Sequence, residues 1–409
     1  MKQRFLIIIL LIFSAHSIYG QTKKVVRQKK TPVVTKQVKK HQGTSRRWIS
    51  LSHVHEGLVR AYNYNYKYGF VDKTGKTVIP FMWDDAFDFY EGLATVKDQN
   101  GNYGFIDKTG KVVISCTWNY ASRFYEGLAM VKDQNGKYGF IDKTGKVVIS
   151  CTWNDASLFY EGLATVKSSN GKYGFIDKFG RLVVPCEWNM NGFAFYRRDD
   201  YRFSEGLALV QDDNDRYGFV DKSGKLIIPC QFNDAKPFSE GRALIKGKHV
   251  KMPGYLGSGY IDKTGNIVIP CQFYGATPFS DGLALVTDGN GKSDFIDKTG
   301  RVVIPVSQWR GVKSFSEGLA AVRDESGKWG FIDKTGKLVI PCQWWNVDSF
   351  SDGLAVVEDY NYKSGYIDKT GKVVIPCKWS RANRFYEEYT VVGINETDII
   401  INKKGERVF

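Results

Sequence analysis

One phrase constrains this chain more than any other: YGFIDKTGKVVISC at residues 103–116 returns almost letter for letter at residues 138–151. Variants fill most of the rest, and each carries a turn glycine: Gly75, Gly110, Gly145, Gly180, Gly224, Gly265, Gly300, Gly336, Gly371 and a degenerate copy at Gly405. The spacing is 34–36 residues except at two steps, 44 from Gly180 to Gly224 and 41 from Gly224 to Gly265. A fixed period of this size belongs to repeat architectures, whose units bury their apolar faces against neighbours and share a continuous core. A second marker keeps register: Trp83, Trp118 and Trp153 each stand eight residues before Glu91, Glu126 and Glu161, as Trp48 does before Glu56. The array therefore runs over 48–409 in ten units: 48–80, 83–115, 118–150, 153–185, 188–229, 232–270, 273–305, 309–341, 344–376 and 379–409.

Each unit reads as three antiparallel strands. The first, GLAxV, alternates a nearly constant small residue (Ala94, Ala129, Ala164) with a variable one (Thr95, Met130, Thr165), the pattern of a strand with one tightly packed face. Asn-Gly pairs such as Asn100-Gly101 supply the positive φ of a hairpin turn. The second strand, YGFID, carries a glycine that marks close approach of a neighbouring ring or backbone. Asp-Lys-Thr-Gly makes the next turn, and a β-branched run ending in Pro or Ser forms the third strand. No segment shows helical periodicity, so the array is all-β.

The words WGFIDKTGKLVIPCQW at 329–344 and FSEGLAAV at 315–322 resemble the bacterial WG-repeat family, over 48–409. Most units replace Trp-Gly by Tyr-Gly; Ser293-Asp294 has neither, and 390–409 has lost most of the pattern. The resemblance implies a β-rich, often exported repeat protein used for binding, with no catalytic residues. Ten units exceed the roughly 4–8 blades usual for a propeller, and no unit is split between the termini. The sequence thus points to an open, curved or superhelical stack, with a closed propeller-like ring as the alternative.

The net charge of +15 suggests nucleic acid until it is located. Residues 1–47 hold twelve Lys or Arg and no acid; removing them from the total of 58 leaves 46 basic against 43 acidic residues, so the array implies no nucleic-acid-binding face. Lys2 and Arg4 precede the apolar run Phe5–Phe13 and small residues to Gly20, the layout of a signal peptide over 1–20. The run is too short to span a bilayer, so no transmembrane helix is expected in the mature chain. Residues 21–47 read as a basic disordered linker suited to acidic surfaces. The expected address is outside the cytoplasm: periplasm, cell surface or medium.

Cys116, Cys151, Cys186, Cys230, Cys271, Cys342 and Cys377 occupy one slot, which Phe81 and Val306 also fill. A slot open to Phe and Val is a packing slot, so free buried thiols are expected rather than disulfides or a metal site. The acids around Glu91 and Asp107 recur in nearly every unit, whereas a glycosidase needs one singular pair; a carbohydrate hydrolase is therefore disfavoured. With His scarce and no phosphate loop, no catalytic residue, metal or cofactor is assigned. Phe232 and Phe273 stand where other units have Trp, which favours packing over sugar stacking for that row. The less regular Tyr62, Tyr64, Tyr66, Trp345, Tyr360 and Tyr362 are better contact candidates.

Insertions in the fifth and sixth units nominate a ligand or partner patch: Phe193, Phe195, Tyr196, Arg197, Arg198, Tyr201, Lys246, Lys248, His249, Lys251 and Tyr255. The expected role is a non-enzymatic scaffold for protein–protein interaction at the cell envelope, with glycan or cell-wall binding as the alternative.

Overall fold

The hairpin words fold into ten small antiparallel sheets, set one after another around a ring. The computed structural model describes residues 48–190, 198–386, 388–394 and 397–408; the signal-peptide and linker segments lie outside them. Blade 2 shows the plan: strands Asp85–Ala86, Leu93–Lys97, Tyr103–Asp107 and Val112–Trp118 pair in sequence order. The expected three strands are present, and a two-residue strand from the connector adds a fourth. The outer strand runs past its Ser or Pro, through the Cys slot, to the aromatic. That aromatic thus closes one blade rather than opening the next. Blade 10 has three strands, Arg381–Ala382, Tyr389–Ile394 and Thr397–Asn402.

The glycine of YGF answers to backbone geometry. Tyr103 pairs with Trp118 and Phe105 with Ile114, so Gly104 alone faces three residues of a bulged outer strand. A Cβ at Gly104 would stand 2.5 Å from the Ile114 carbonyl oxygen and 2.8 Å from Cys116 Sγ. Blade 7 supplies the converse. Asp294 replaces the glycine there and pairs directly with Pro305; the outer strand stops at Pro305, and Val306 fills the Cys slot, its amide donating to Asp294 Oδ1 (3.2 Å). Where the glycine is lost, the bulge opposite it and the thiol are lost as well; blade 1 keeps glycine and bulge with Phe81 in the slot. The Asn-Gly turns form hairpins in which only the glycine has positive φ (Gly101, 84°).

Blades pack through a ladder of rings. Phe70–Phe89, Phe105–Phe124, Phe140–Phe159 and Phe219–Phe238 each join one blade to the next with centroids 4.8–4.9 Å apart. These rings are almost wholly buried, so no blade completes its core alone. The Trp row is packing material as well: the indole Nε1 atoms of Trp83, Trp118, Trp153, Trp188, Trp344 and Trp379 have no hydrogen-bond partner among the described residues, and Phe at 232 and 273 gives none up.

The open stack is corrected by the seam. Trp48, Leu51, Val54, Val59 and Ala61 of the first unit share one core cluster with Val391 and Ile400 of the last. The Leu51 amide donates to Asp398 Oδ2 (3.1 Å), Asp398 pairs with Arg381 (2.5 Å), and Lys73 Nζ donates to the Tyr389 hydroxyl (3.1 Å). The array is therefore a closed, ten-bladed propeller-like ring, the form held as the alternative. Whole units at both termini misdirected the reading: closure here uses face-to-face packing and needs no strand shared between the ends.

Candidate functional site

Strands alternate in direction, so the ring has two unlike ends. At one lie the Glu-Gly and Asp-Lys-Thr-Gly turns. Here Glu56, Glu91, Glu126 and Glu161 take left-handed backbone, φ 49–54°, uncommon for residues with a side chain. Each carboxylate reaches the next blade. Glu91 accepts from the Gly127 amide (3.1 Å) and pairs with Lys143 Nζ (3.0 Å); Glu126 likewise takes Gly162 (3.0 Å) and Lys178 (3.2 Å). At Glu161 burial pushes the carboxyl pKa up, but Lys222 and the Gly206 and Glu205 amides outweigh it and hold it below its ordinary value. The second acidic row folds its own turn: Asp107 Oδ1 accepts from the Thr109 hydroxyl (2.6 Å) and the Thr109 and Lys111 amides. Both rows act in the framework, one between blades and one within.

The seven cysteines are free thiols, six half-buried and Cys271 buried. Burial raises them all; for Cys116, Cys230, Cys342 and Cys377 the value reaches about 11, which leaves little thiolate at neutral pH. Among the described residues no cluster of three or more His, Cys, Asp or Glu side chains could hold a metal ion. No helix among them is long and apolar enough to cross a membrane.

The opposite end carries the hairpin turns between second and third strands, and both insertions open there. Of the nominated residues, Phe193, Phe195, Tyr196 and Arg197 lie outside the described residues; Arg198 begins the short 3-10 turn Arg198–Tyr201. Tyr201 is wholly buried, its carbonyl accepting from the Thr165 hydroxyl (3.1 Å), so it belongs to the core. The second insertion lengthens a hairpin, Ala243–Lys248 with Leu256–Ile261. His249 is taken up by the fold: Nε2 bonds the Gln272 carbonyl (3.0 Å), and Nδ1 accepts the Lys251 and Met252 amides (3.1 Å each). Lys246, Lys248, Lys251 and Tyr255 remain exposed. At the same end Trp345 meets Tyr360 and Tyr362 edge to face, 5.7 and 5.5 Å between centroids. Tyr66 (φ 60°) and Tyr362 (φ 55°) take the left-handed turn position that glycine fills in most blades.

Sequence reasoning missed a third surface. One cavity of about 350 Å³ draws its lining from four successive blades, at Arg60, Asp88, Tyr90, Arg123 and Tyr160 among others. Only where blades converge, toward the ring's axis, can four meet. The residue after the ladder Phe varies systematically there: Tyr90, Tyr125, Tyr160 and Tyr386, with His55 in blade 1, but Ser204, Ser239, Ser280, Ser316 and Ser351 in blades 5–9. This switch was visible in the sequence, one position from the Glu-Gly marker. Arg123 lies over the Tyr90 ring at 4.3 Å, Arg202 over Tyr160 at 4.8 Å, and His55 touches both Tyr90 and Tyr386 (5.0 and 4.4 Å).

Matches to the family described as WG containing repeat cover residues 68–190, 217–246, 259–292, 295–363 and 365–397. The chain belongs to that family. A repeat β-fold of this kind is consistent with a non-enzymatic protein-interaction scaffold. No curated protein matches in sequence. Among solved structures, the computationally designed Ika8 protein is similar at 12% identity and TM-score 0.33, over 77% of this chain and 94% of Ika8. BamB from Moraxella catarrhalis gives 11% and 0.32, over 68% and 88%. The extracellular domain of the putative hybrid two-component system BT3049 from B. thetaiotaomicron gives 11% and 0.24, over 87% and 56%. Likenesses this slight carry no argument.

Proposed function

We propose that the chain is an exported, non-enzymatic scaffold that binds a protein partner at the cell envelope through the hairpin end of the ring. The observation that carries this reading is the pair of tyrosines held in left-handed turns. Tyr66 and Tyr362 are 71% and 61% exposed, in a conformation that glycine adopts without cost. An exposed aromatic that the fold would do better without points to contact with something else. Tyr64, Trp345 and Tyr360 extend the aromatic surface, and Lys248, Lys251 and Tyr255 stand exposed at the same end. Aromatic anchors ringed by polar residues are the usual energetic centre of protein interfaces. The leader-like residues 1–20 and the near-neutral array support export and argue against nucleic acid.

The test is affinity capture from envelope extract, comparing the parent with a Tyr66→Gly/Tyr362→Gly double variant. Capture of one protein by the parent, its loss with the variant, and an unchanged or raised melting temperature are expected. Equal capture by both proteins would overturn the reading.

A further inference from the structure

Blades 2 and 3 are nearly the same sequence. Over residues 83–118 and 118–153 they differ at six of 36 positions. Four of the six place a blade 3 side chain on the axis-side cavity: Tyr120 for Asp85, Ser122 for Phe87, Arg123 for Asp88 and Met130 for Thr95. The other two, Asn119 for Asp84 and Lys137 for Asn102, lie off it. Copies that agree nearly everywhere else thus diverge at this cavity.

Its chemistry is specific. Arg123 rests over the Tyr90 ring, 4.3 Å from its centroid, and no carboxylate pairs with it among the described residues. The Asp88 carboxylate is set between Arg60 Nε (3.4 Å) and His55 Nε2 (3.7 Å), yet its buried Oδ1 accepts no hydrogen bond from a described residue. Tyr90, Tyr120, Tyr160 and Met130 supply aromatic and apolar wall. About 350 Å³ falls at the lower end of the ~300–1,000 Å³ typical of small-molecule sites.

We propose that this cavity binds a saccharide bearing a carboxylate, a uronic acid unit. A sugar ring has a C–H face for the tyrosines and hydroxyls that donate to Asp88. A ring carboxylate gives Arg123 the planar, two-pronged partner its guanidinium fits. A neutral hexose leaves Arg123 without a counter-charge. A plain dicarboxylate brings Asp88 no hydroxyl beyond its Arg60 and His55 pairs and leaves the rings uncovered. The site is distinct from the hairpin-end surface, so protein capture and sugar binding fail separately.

Titration calorimetry on the full chain, with trigalacturonate, maltotriose, succinate and triglutamate as probes, tests this. The variants return blade 3 to residues its neighbours already carry at the same positions: Arg123→Leu, as at Leu158, and Met130→Thr, as at Thr165. Both are therefore compatible with the blade, and thermal melts check that. Saturable binding of trigalacturonate is expected, at least tenfold weaker for maltotriose, weakened tenfold or more by Arg123→Leu and partly retained in Arg123→Lys. Absence of trigalacturonate binding, equal binding of triglutamate or succinate, or an unchanged affinity in Arg123→Leu would overturn it.

Discussion

Blades 2–4 and blades 5–9 are built on the same ladder of rings and the same carboxylate staples, Glu or, at 281 and 352, Asp, yet face the axis differently. In the second group Ser204, Ser239, Ser280 and Ser316 turn their hydroxyls onto the carbonyls of Phe238, Phe279, Phe315 and Phe350 in the following blade, at 2.8–3.0 Å. Those serines belong to the joint. In the first group Tyr90, Tyr125 and Tyr160 leave that joint without the bond and instead meet other rings and Arg123 or Arg202. In one sector this position bonds across the seam, and in the other it meets neighbouring rings and arginines. A repeat protein can thus separate framework from function at one residue per copy.

The comparison breaks most visibly if the shared ladder is not equally strong in both sectors. Phe159→Ala and Phe238→Ala should each cost about 3–5 kcal/mol, and urea melts giving values that differ by more than the error would show that the frameworks are not alike. Gly139→Ala comes next: its Cβ would stand 2.5 Å from the Ile149 carbonyl oxygen, for an expected loss of about 2–3 kcal/mol. Asp294→Ala in blade 7, where the outer strand lacks the bulge opposite this position, should lose about 1 kcal/mol, the worth of one hydrogen bond to a backbone amide. Equal losses at the two positions would remove the link between glycine and bulge.

Staples should weaken in both sectors together as pH falls. The Glu161 and Glu317 carboxyls are held below their ordinary values: burial opposes this, and lysine and amide partners outweigh it. A depressed folded value means that the stabilisation is complete above the unfolded carboxylate value of ~4.3 and is lost as pH falls through the lower folded value. Melting temperature should therefore drop below about pH 4, and less steeply in Glu161→Gln and Glu317→Gln. The smallest effects separate the sectors most cleanly. Ser239→Ala should cost about 1 kcal/mol for the lost hydrogen bond, while Tyr125→Ser should cost less, because Tyr125 makes no such bond in the joint. Thermal melts giving the reverse order would place the tyrosines in the framework.

Much of the ring could be read from the letters, because each local device has its own word. Asn-Gly announced a hairpin, the shared slot of Phe81, Val306 and Cys116 announced packing, and the exchange of Trp for Phe at 232 and 273 announced an indole with no hydrogen bond to lose. Closure could not be read, because blade-to-blade contacts are the same in an open stack. The residues that close the ring, Leu51, Val391 and Asp398, sit in the two units whose words are most worn. The inner strand Asp85–Ala86 is two residues long, too short for any periodicity. Two residues of the candidate patch have a place in the fold for a related reason. An insertion is conspicuous as sequence, yet His249 and Tyr201 serve its own folding; the cavity residues Arg123 and Met130 are single-letter changes inside a word that otherwise repeats.

Closure by flat contact rather than by an exchanged strand has a consequence for ancestry. A module that is whole from its first strand to its last can be copied in tandem without leaving a broken partner behind, and each added copy widens the bore by one sector. The residues 83–118 and 118–153, alike at 30 of 36 positions, look like such a copying event caught soon after it happened. Four of the six altered letters lie on the cavity, so lineages carrying this ring are expected to vary in module number and bore chemistry while the joints stay the same.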